Sequence, residues 1–137
     1  MRIHVVVFMR KTEKFYDNAA AEYEKRLGRY CKIRITRLPP GSSCPQPEGC
    51  CVVIRPGEPM ISSEELAEKI GEAQVRGVSR VTVLLPFSEE DPSEGWEPAP
   101  VRLALSSMEM SPGLTLTVLL EQIYRAYKII HGETYHK

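Results

Sequence analysis

Hydrophobic residues along this 137-residue chain change their spacing several times, and each change marks an element. In Arg2–Phe8, Ile3, Val5, Val6, Val7 and Phe8 form a largely β-branched run, the pattern of a buried strand. After Thr12, the expected helix cap, apolar positions recur every four residues at Phe15, Ala19, Tyr23 and Leu27, which predicts a helix stopped by Gly28. Lys32–Leu38 alternates Ile33 and Ile35 with charged neighbours, as a half-exposed strand should. Cys51–Ile54 is a short apolar strand. Ser62 and Glu65 then have the spacing of a capping box that opens a helix to about Arg76, with Gly77 as its stop. Arg80–Leu85 reads as another buried strand and Val101–Leu105 as a further one. Ser111-Pro112 opens a last helix that runs to about Ile130 before Gly132.

Two connections interrupt this alternation. Residues 39–49 hold four prolines and two glycines, and residues 86–100 hold four prolines and five acids without a base. Strands alternating with helices predict an α/β fold with a mainly parallel sheet, and the length fits one domain, residues 1–137. On the last helix Leu116, Leu119, Leu120, Ile123, Tyr127 and Ile130 share a broad face. Leu114, Val118, Tyr124 and Ile129 widen it beyond what one small sheet needs, which predicts either self-association through residues 114–130 or a deeply buried helix.

The apolar share of 42% and charged share of 26% are those of a soluble globular protein. No apolar run, Val81–Leu85 included, approaches the length of a membrane span, and the chain opens directly into a strand without a signal-peptide pattern, so a cytoplasmic location is expected. Net charge is zero, which weighs against a nucleic-acid binder, yet residues 1–37 carry ten cations against four acids. That basic end suits phosphate or a solvated surface equally well. Cys31, Cys44, Cys50 and Cys51 lack metal-ligand spacing, so no metal site is expected. His4 is expected at an edge position and His131 at a helix carboxyl end, where the dipole favours imidazolium without a catalytic role. Glu121 and Arg125 are four apart, a favourable helical pair that competes with a site role for Arg125. No nucleophile motif, Gly-x-Gly-x-x-Gly or phosphate loop is present.

The tail from Leu119 to Lys137, ending in Tyr135-His136-Lys137, resembles the carboxyl terminus of the RlmH family. Pro56-Gly57-Glu58 followed by Ser62-Ser63-Glu64-Glu65-Leu66-Ala67 is similar to the family's strand–glycine–SSEELA segment, and the similarity is visible again in Ala21–Gly28 of the first helix. These are small SPOUT-class methyltransferases that use S-adenosylmethionine to methylate a pseudouridine of large-subunit ribosomal RNA. The resemblance implies a trefoil-knotted sheet and a homodimer packed through the last helix. It implies a cofactor held by three loops, here with Ile54, Gly57, Leu85, Pro86, Ser106, Ser107, Met108 and Met110, and a substrate side formed by Arg125, Tyr135 and His136. Arg125 would bind phosphate or the anionic base, Tyr135 would stack or hydrogen-bond, and His136 would accept a proton.

The chain departs from the family pattern where Leu85-Pro86-Phe87-Ser88 replaces a glycine turn, and where Pro112-Gly113-Leu114-Thr115-Leu116 lacks the usual histidine and arginine. The segment between the second and third strands is also short. Three readings stay open: an active methyltransferase, a catalytically silent knotted dimer that binds RNA or a protein partner, and another small α/β enzyme.

Overall fold

The computed structural model describes residues 1–135. Strands β1 (Arg2–Phe8), β2 (Lys32–Leu38), β3 (Cys50–Ile54), β4 (Arg80–Leu85) and β5 (Val101–Leu103) form one parallel sheet in the order β2-β1-β4-β3-β5. Three helices accompany it: α1 (Lys14–Leu27), α2 (Ser63–Val75) and α3 (Pro112–Ile130). The α/β, mainly parallel expectation holds.

The layering follows from the crossovers. The connections through α1 (β1 to β2) and α2 (β3 to β4) cross the sheet in one direction. The loops 39–49 (β2 to β3) and 86–100 (β4 to β5) cross in the other. Parallel crossovers share one hand, so helices and loops must lie on opposite faces. They do. Ile3, Val5 and Val7 of β1 pack into a core with Leu27 of α1 and Leu116, Leu119, Leu120, Ile123 and Tyr127 of α3. The alternate residues Val6 and Phe8, with Val53 and Leu84, form a second cluster covered by Leu38, Cys44, Phe87 and Trp96.

Helix α3 lies between α1 and α2 and against β1 and β4. Its contact with α1 is close enough to require glycine: a Cβ on Gly113 would lie 2.6 Å from Cδ2 of Tyr16. The breadth of its apolar face is thus partly explained within one chain, because two helices and a sheet all touch it. Ile123 is buried in this core at 3% exposure, whereas Leu114 and Val118 are half-buried and Ile129 is 42% exposed.

Several local expectations are corrected. Thr12 does not cap α1; Glu13 holds the cap position with no side-chain hydrogen bond, and the helix begins at Lys14. Strand β5 ends at Leu103, because the chain beyond it turns to meet the 59–61 segment, with Ala104 bridged to Met60. β3 begins one residue early, at Cys50. His4 is not at a sheet edge: β1 has partners on both sides, and the ring is half-buried between them. The capping box of α2 is present, with Ser62 accepting from the Glu65 amide and Glu65 accepting from the Ser62 amide, 3.1 Å each.

Candidate functional site

Parallel sheets bind ligands beyond the carboxyl ends of their strands, where crossovers diverge. Here the ends of β3, β4 and β5 lie side by side, and main-chain bonds fix the loops that leave them. The Arg55 amide donates to the Leu103 carbonyl (3.0 Å), the Ala104 amide to Pro59 (2.9 Å) and the Ile61 amide to Ala104 (3.2 Å). Between these loops is a cleft of about 270 Å³. Ile54, Arg55 and Pro56 form one wall, Leu85–Ser88 a second, and Leu105, Ser106, Met108–Met110, Pro112 and Thr115 the third.

Six of the eight residues expected at a cofactor site line this cleft: Ile54, Leu85, Pro86, Ser106, Met108 and Met110. Gly57 and Ser107 do not. Gly57 serves the turn instead, with φ of +92°. Eight further lining residues were not named singly: Arg55, Pro56, Phe87, Ser88, Leu105, Glu109, Pro112 and Thr115. Most of them belong to the loops already singled out. Thr115 is in the first turn of α3, where its hydroxyl bonds the Ser111 carbonyl, and no sequence signal marked it.

The turn after β4 achieves its reversal without glycine. Pro86 has no amide hydrogen to offer, and Ser88 takes the left-handed conformation at φ of 53°, which costs a non-glycine residue strain. Phe87 borders the cleft, but it also packs on the loop-side cluster and sits beneath the Arg10 guanidinium, 5.2 Å from its ring centre.

Of the expected substrate-side residues, Arg125 is on α3 and Tyr135 is in the tail that follows it. Arg125 donates to Glu121 Oε1 from Nη2 (2.7 Å) and Nε (3.2 Å), and its guanidinium lies 4.6 Å from the ring centre of Tyr135. Tyr135 also donates to Glu121. The Glu121 hydrogen bond, partly offset by burial, holds the Arg125 pKa above the ordinary value. Burial first, then the bond to Glu121, push the Tyr135 phenol up to about 12. Tyr135 therefore stays protonated near neutral pH and acts as a donor. His136 lies outside the described residues. The helical rise puts Arg125 about 15 Å from Thr115 along α3, so one chain does not bring the Arg125 cluster to its own cleft.

The tail is held by a second cluster. Glu133 accepts from Tyr30 (2.8 Å) and Lys128 (3.2 Å), while Tyr30 stacks on Tyr127 at 5.4 Å between ring centres. The four cysteines are free; burial raises the Cys51 thiol to about 11, with Cys50 and Cys44 adding to the shift. Among the described residues no group of His, Cys, Asp and Glu side chains is placed to hold a metal, and no helix is long and apolar enough to cross a membrane.

Comparison with known proteins agrees with this architecture. A family model described as "Predicted SPOUT methyltransferase" matches residues 44–136. The chain is 39% identical over 130 residues to "Ribosomal RNA large subunit methyltransferase H 1" of Thermoanaerobacter sp. (strain X514), covering 93% of this chain and 92% of the relative. It is 36% identical to "Ribosomal RNA large subunit methyltransferase H" of Clostridium novyi (strain NT), over the full length of both. A solved structure, that of a probable methylase family protein from Haemophilus influenzae Rd KW20, superposes with a TM-score of 0.57 at 10% identity. It covers 96% of this chain, which spans 66% of that structure's length; at this identity the likeness speaks for the fold alone. Sequence relatives over nearly the whole chain and a matching parallel fold lead to one assignment: the chain belongs to the RlmH family of SPOUT methyltransferases.

Proposed function

We propose that this chain is a cytoplasmic, homodimeric enzyme that transfers a methyl group from S-adenosylmethionine to a pseudouridine of large-subunit ribosomal RNA, with α3 threaded as the knotted segment of the fold. The three-loop cleft carries the proposal. Its residues suit the cofactor. Ile54, Leu85, Leu105, Met108 and Met110 provide apolar walls for an adenine, while Arg55 and Glu109 offer opposite charges to a carboxylate and an ammonium group. With Pro86 lacking a donor, hydrogen bonds to the base fall to main-chain groups of the Ile54–Gly57 and Ser106–Pro112 loops. When bound, the cofactor supplies an electrophilic methyl group on sulfur.

The chain's own residues must then position the accepting ring nitrogen, exclude water and stabilise the charge left when that nitrogen loses its proton. Arg125 suits the last task, because its cation is supported by Glu121 and packed on Tyr135. Tyr135 suits donation to the base or stacking, and the proton-accepting role implied for His136 complements it. A second copy resolves the separation of about 15 Å along α3. Two α3 helices packed antiparallel about a two-fold axis, through Leu114, Val118 and Ile129, would set the Arg125 end of one against the cleft end of the other.

A catalytically silent RNA- or protein-binding dimer is favoured by Pro86-Phe87 in place of the glycine turn, by the Pro112–Leu116 segment without the usual histidine and arginine, and by the short connection between β2 and β3. Methyl transfer to ribosomal RNA, measured with labelled S-adenosylmethionine, separates the two. The active enzyme should transfer label, and Arg125→Ala should lose at least about tenfold in kcat/KM, more than an exposed helical ion pair is worth. Absence of both transfer and cofactor binding by the parent protein would sink the enzymatic reading.

A further inference from the structure

The apolar cover of the loop side, around Val6, Phe8, Val53 and Leu84, does not extend to the amino ends of β1 and β2, where Pro47 and Glu48 border an open depression. Toward the amino ends of the strands the same face carries cations in register. Lys32, Arg2 and Arg80 stand opposite one another on β2, β1 and β4, about 4.8 Å apart from strand to strand. In the next row are Arg34, His4 and Thr82. Arg2, Lys32, Arg34 and Arg80 are all exposed, and among the described residues none of them is in an ion pair. They border a shallow depression of about 510 Å³ whose one acidic lining residue is Glu48.

Like charges directly opposite on neighbouring strands destabilise a sheet. Three in a row with no ion pair among them, and only Glu48 at the rim, is a conflict that an external anion resolves. The second row is ordered beneath it. Arg34 Nη2 can only donate, so His4 Nδ1 accepts from it at 3.2 Å, and the Nε2 hydrogen is left for Thr36 Oγ1 at 2.8 Å. Burial and then Arg34 lower the His4 pKa, so the imidazole adds no positive charge to the patch at neutral pH.

We propose that these amino-terminal rows form a second RNA-binding surface that grips phosphodiester backbone, about 20 Å from the cleft along β1. The shape selects a polymer over a small phosphate compound. The cation row is about 10 Å wide, room for two or three successive phosphates. Among the described residues no helix residue lines it, and the amides of β1 and β4 are committed to the sheet on both sides, so nothing there encloses a single phosphate group. Naming the polyanion as RNA rests on the reading of the chain as an enzyme of ribosomal RNA. In that setting the surface anchors a large substrate at a second point without touching the reacting base.

The test compares the parent with Arg2→Ala/Lys32→Ala/Arg80→Ala, exposed positions whose truncation should leave the circular dichroism spectrum unchanged. Fluorescence anisotropy with a fragment of large-subunit ribosomal RNA, without cofactor, should show binding weakened roughly ten- to hundredfold at 0.1 M salt. The slope of log affinity against log salt should flatten by about 2 to 3. A control removing equal charge from the helix side, Lys14→Ala/Lys25→Ala/Lys69→Ala, should lose far less. In methyl transfer the triple variant should raise KM for RNA and leave kcat within about twofold.

Unchanged affinity and slope, equal losses in the control, or no RNA binding by the parent would each overturn the proposal. So would capture of poly-L-glutamate as tightly as RNA, which would reassign the surface to an acidic protein. RNA binding that survives in a protein unable to bind S-adenosylmethionine would sustain this surface while sinking the enzymatic reading.

Discussion

On one side of the sheet three helices bury Val5, Val7, Leu116, Leu120 and Tyr127 in a continuous core; on the other, two proline-rich loops cover only Val6, Phe8, Val53 and Leu84. Both clusters contain side chains with no exposure at all, so the difference is one of extent and not of dryness. A helix brings an apolar side chain to the same face every three or four residues. An irregular loop brings one where its turns happen to allow it, here Cys44, Phe87 and Trp96. The helix side can therefore specify packing along whole strands. The loop side can do so only near the strand ends, and there its contacts merge with the wall of the cleft through Phe87.

This contrast predicts unequal responses to the same lesion. Leu120 and Leu84 are both fully buried. Leu120→Ala should cost about 4 kcal/mol, because rigid helices and a strand surround it and the cavity stays open. Leu84→Ala should cost nearer about 2.5 kcal/mol, because loop side chains can settle into the space. Urea denaturation of both variants checks the order. Equal losses, or a larger one at Leu84, would mean that the loop layer is as rigid as the helix layer.

Much of this organisation was legible in the sequence, because much of it is local. The capping box at Ser62, the glycine stop at Gly77 with φ of +79°, and the proline opening α3 are each read within a few residues. The cleft loops were legible through resemblance, and six of the eight residues named in them line the cavity. What escaped depends on pairing across the chain. Thr12 had the right chemistry for a cap, but the chain enters α1 one residue later. The position of His4 follows from strand order, which periodicity does not contain. The breadth of the α3 stripe has two sources, a helix on each side and the outward Leu114, Val118 and Ile129, and only tertiary packing separates them. The basic row required register: Arg2, Lys32 and Arg80 are far apart in sequence and adjacent only across the sheet.

Phe87 tests where the loop layer ends and the cleft begins. Its ring packs on the second cluster beneath Arg10. Phe87→Ala should therefore cost about 2 kcal/mol of stability, less than a fully buried phenylalanine because Phe87 is half-buried. The affinity for S-adenosylmethionine should change by less than about threefold, since the walls at Ile54, Leu105 and Met110 stay in place. Calorimetric titration checks the second half. A gain of about tenfold or more would show that the ring obstructs the cleft and that its role in the loop layer is secondary.

The smallest effect comes from His4, at the border between the apolar and basic parts of the loop face. Burial, with Arg34 adding to it, lowers its folded pKa below the ordinary 6.5. In the window between that lowered value and 6.5 the unfolded chain binds more protons than the folded one, so stability rises with pH. The contribution of neutral His4 is fully present above 6.5 and is lost as pH falls through the folded value. Arg2, Lys32, Arg34 and Arg80 are the basic groups that face it, and Glu48 on the rim is the single acid among the lining residues. Other groups titrate nearby in pH, so the informative quantity is a difference between proteins. The urea midpoint of the parent should fall more steeply between pH 7.5 and about pH 5 than that of His4→Gln, an uncharged variant able to keep a hydrogen bond to Thr36. Parallel curves would show that His4 is solvated like an ordinary surface histidine. A steeper curve for the variant would mean that the folded protein favours the protonated ring, as it would if an anion already occupied the row beside it.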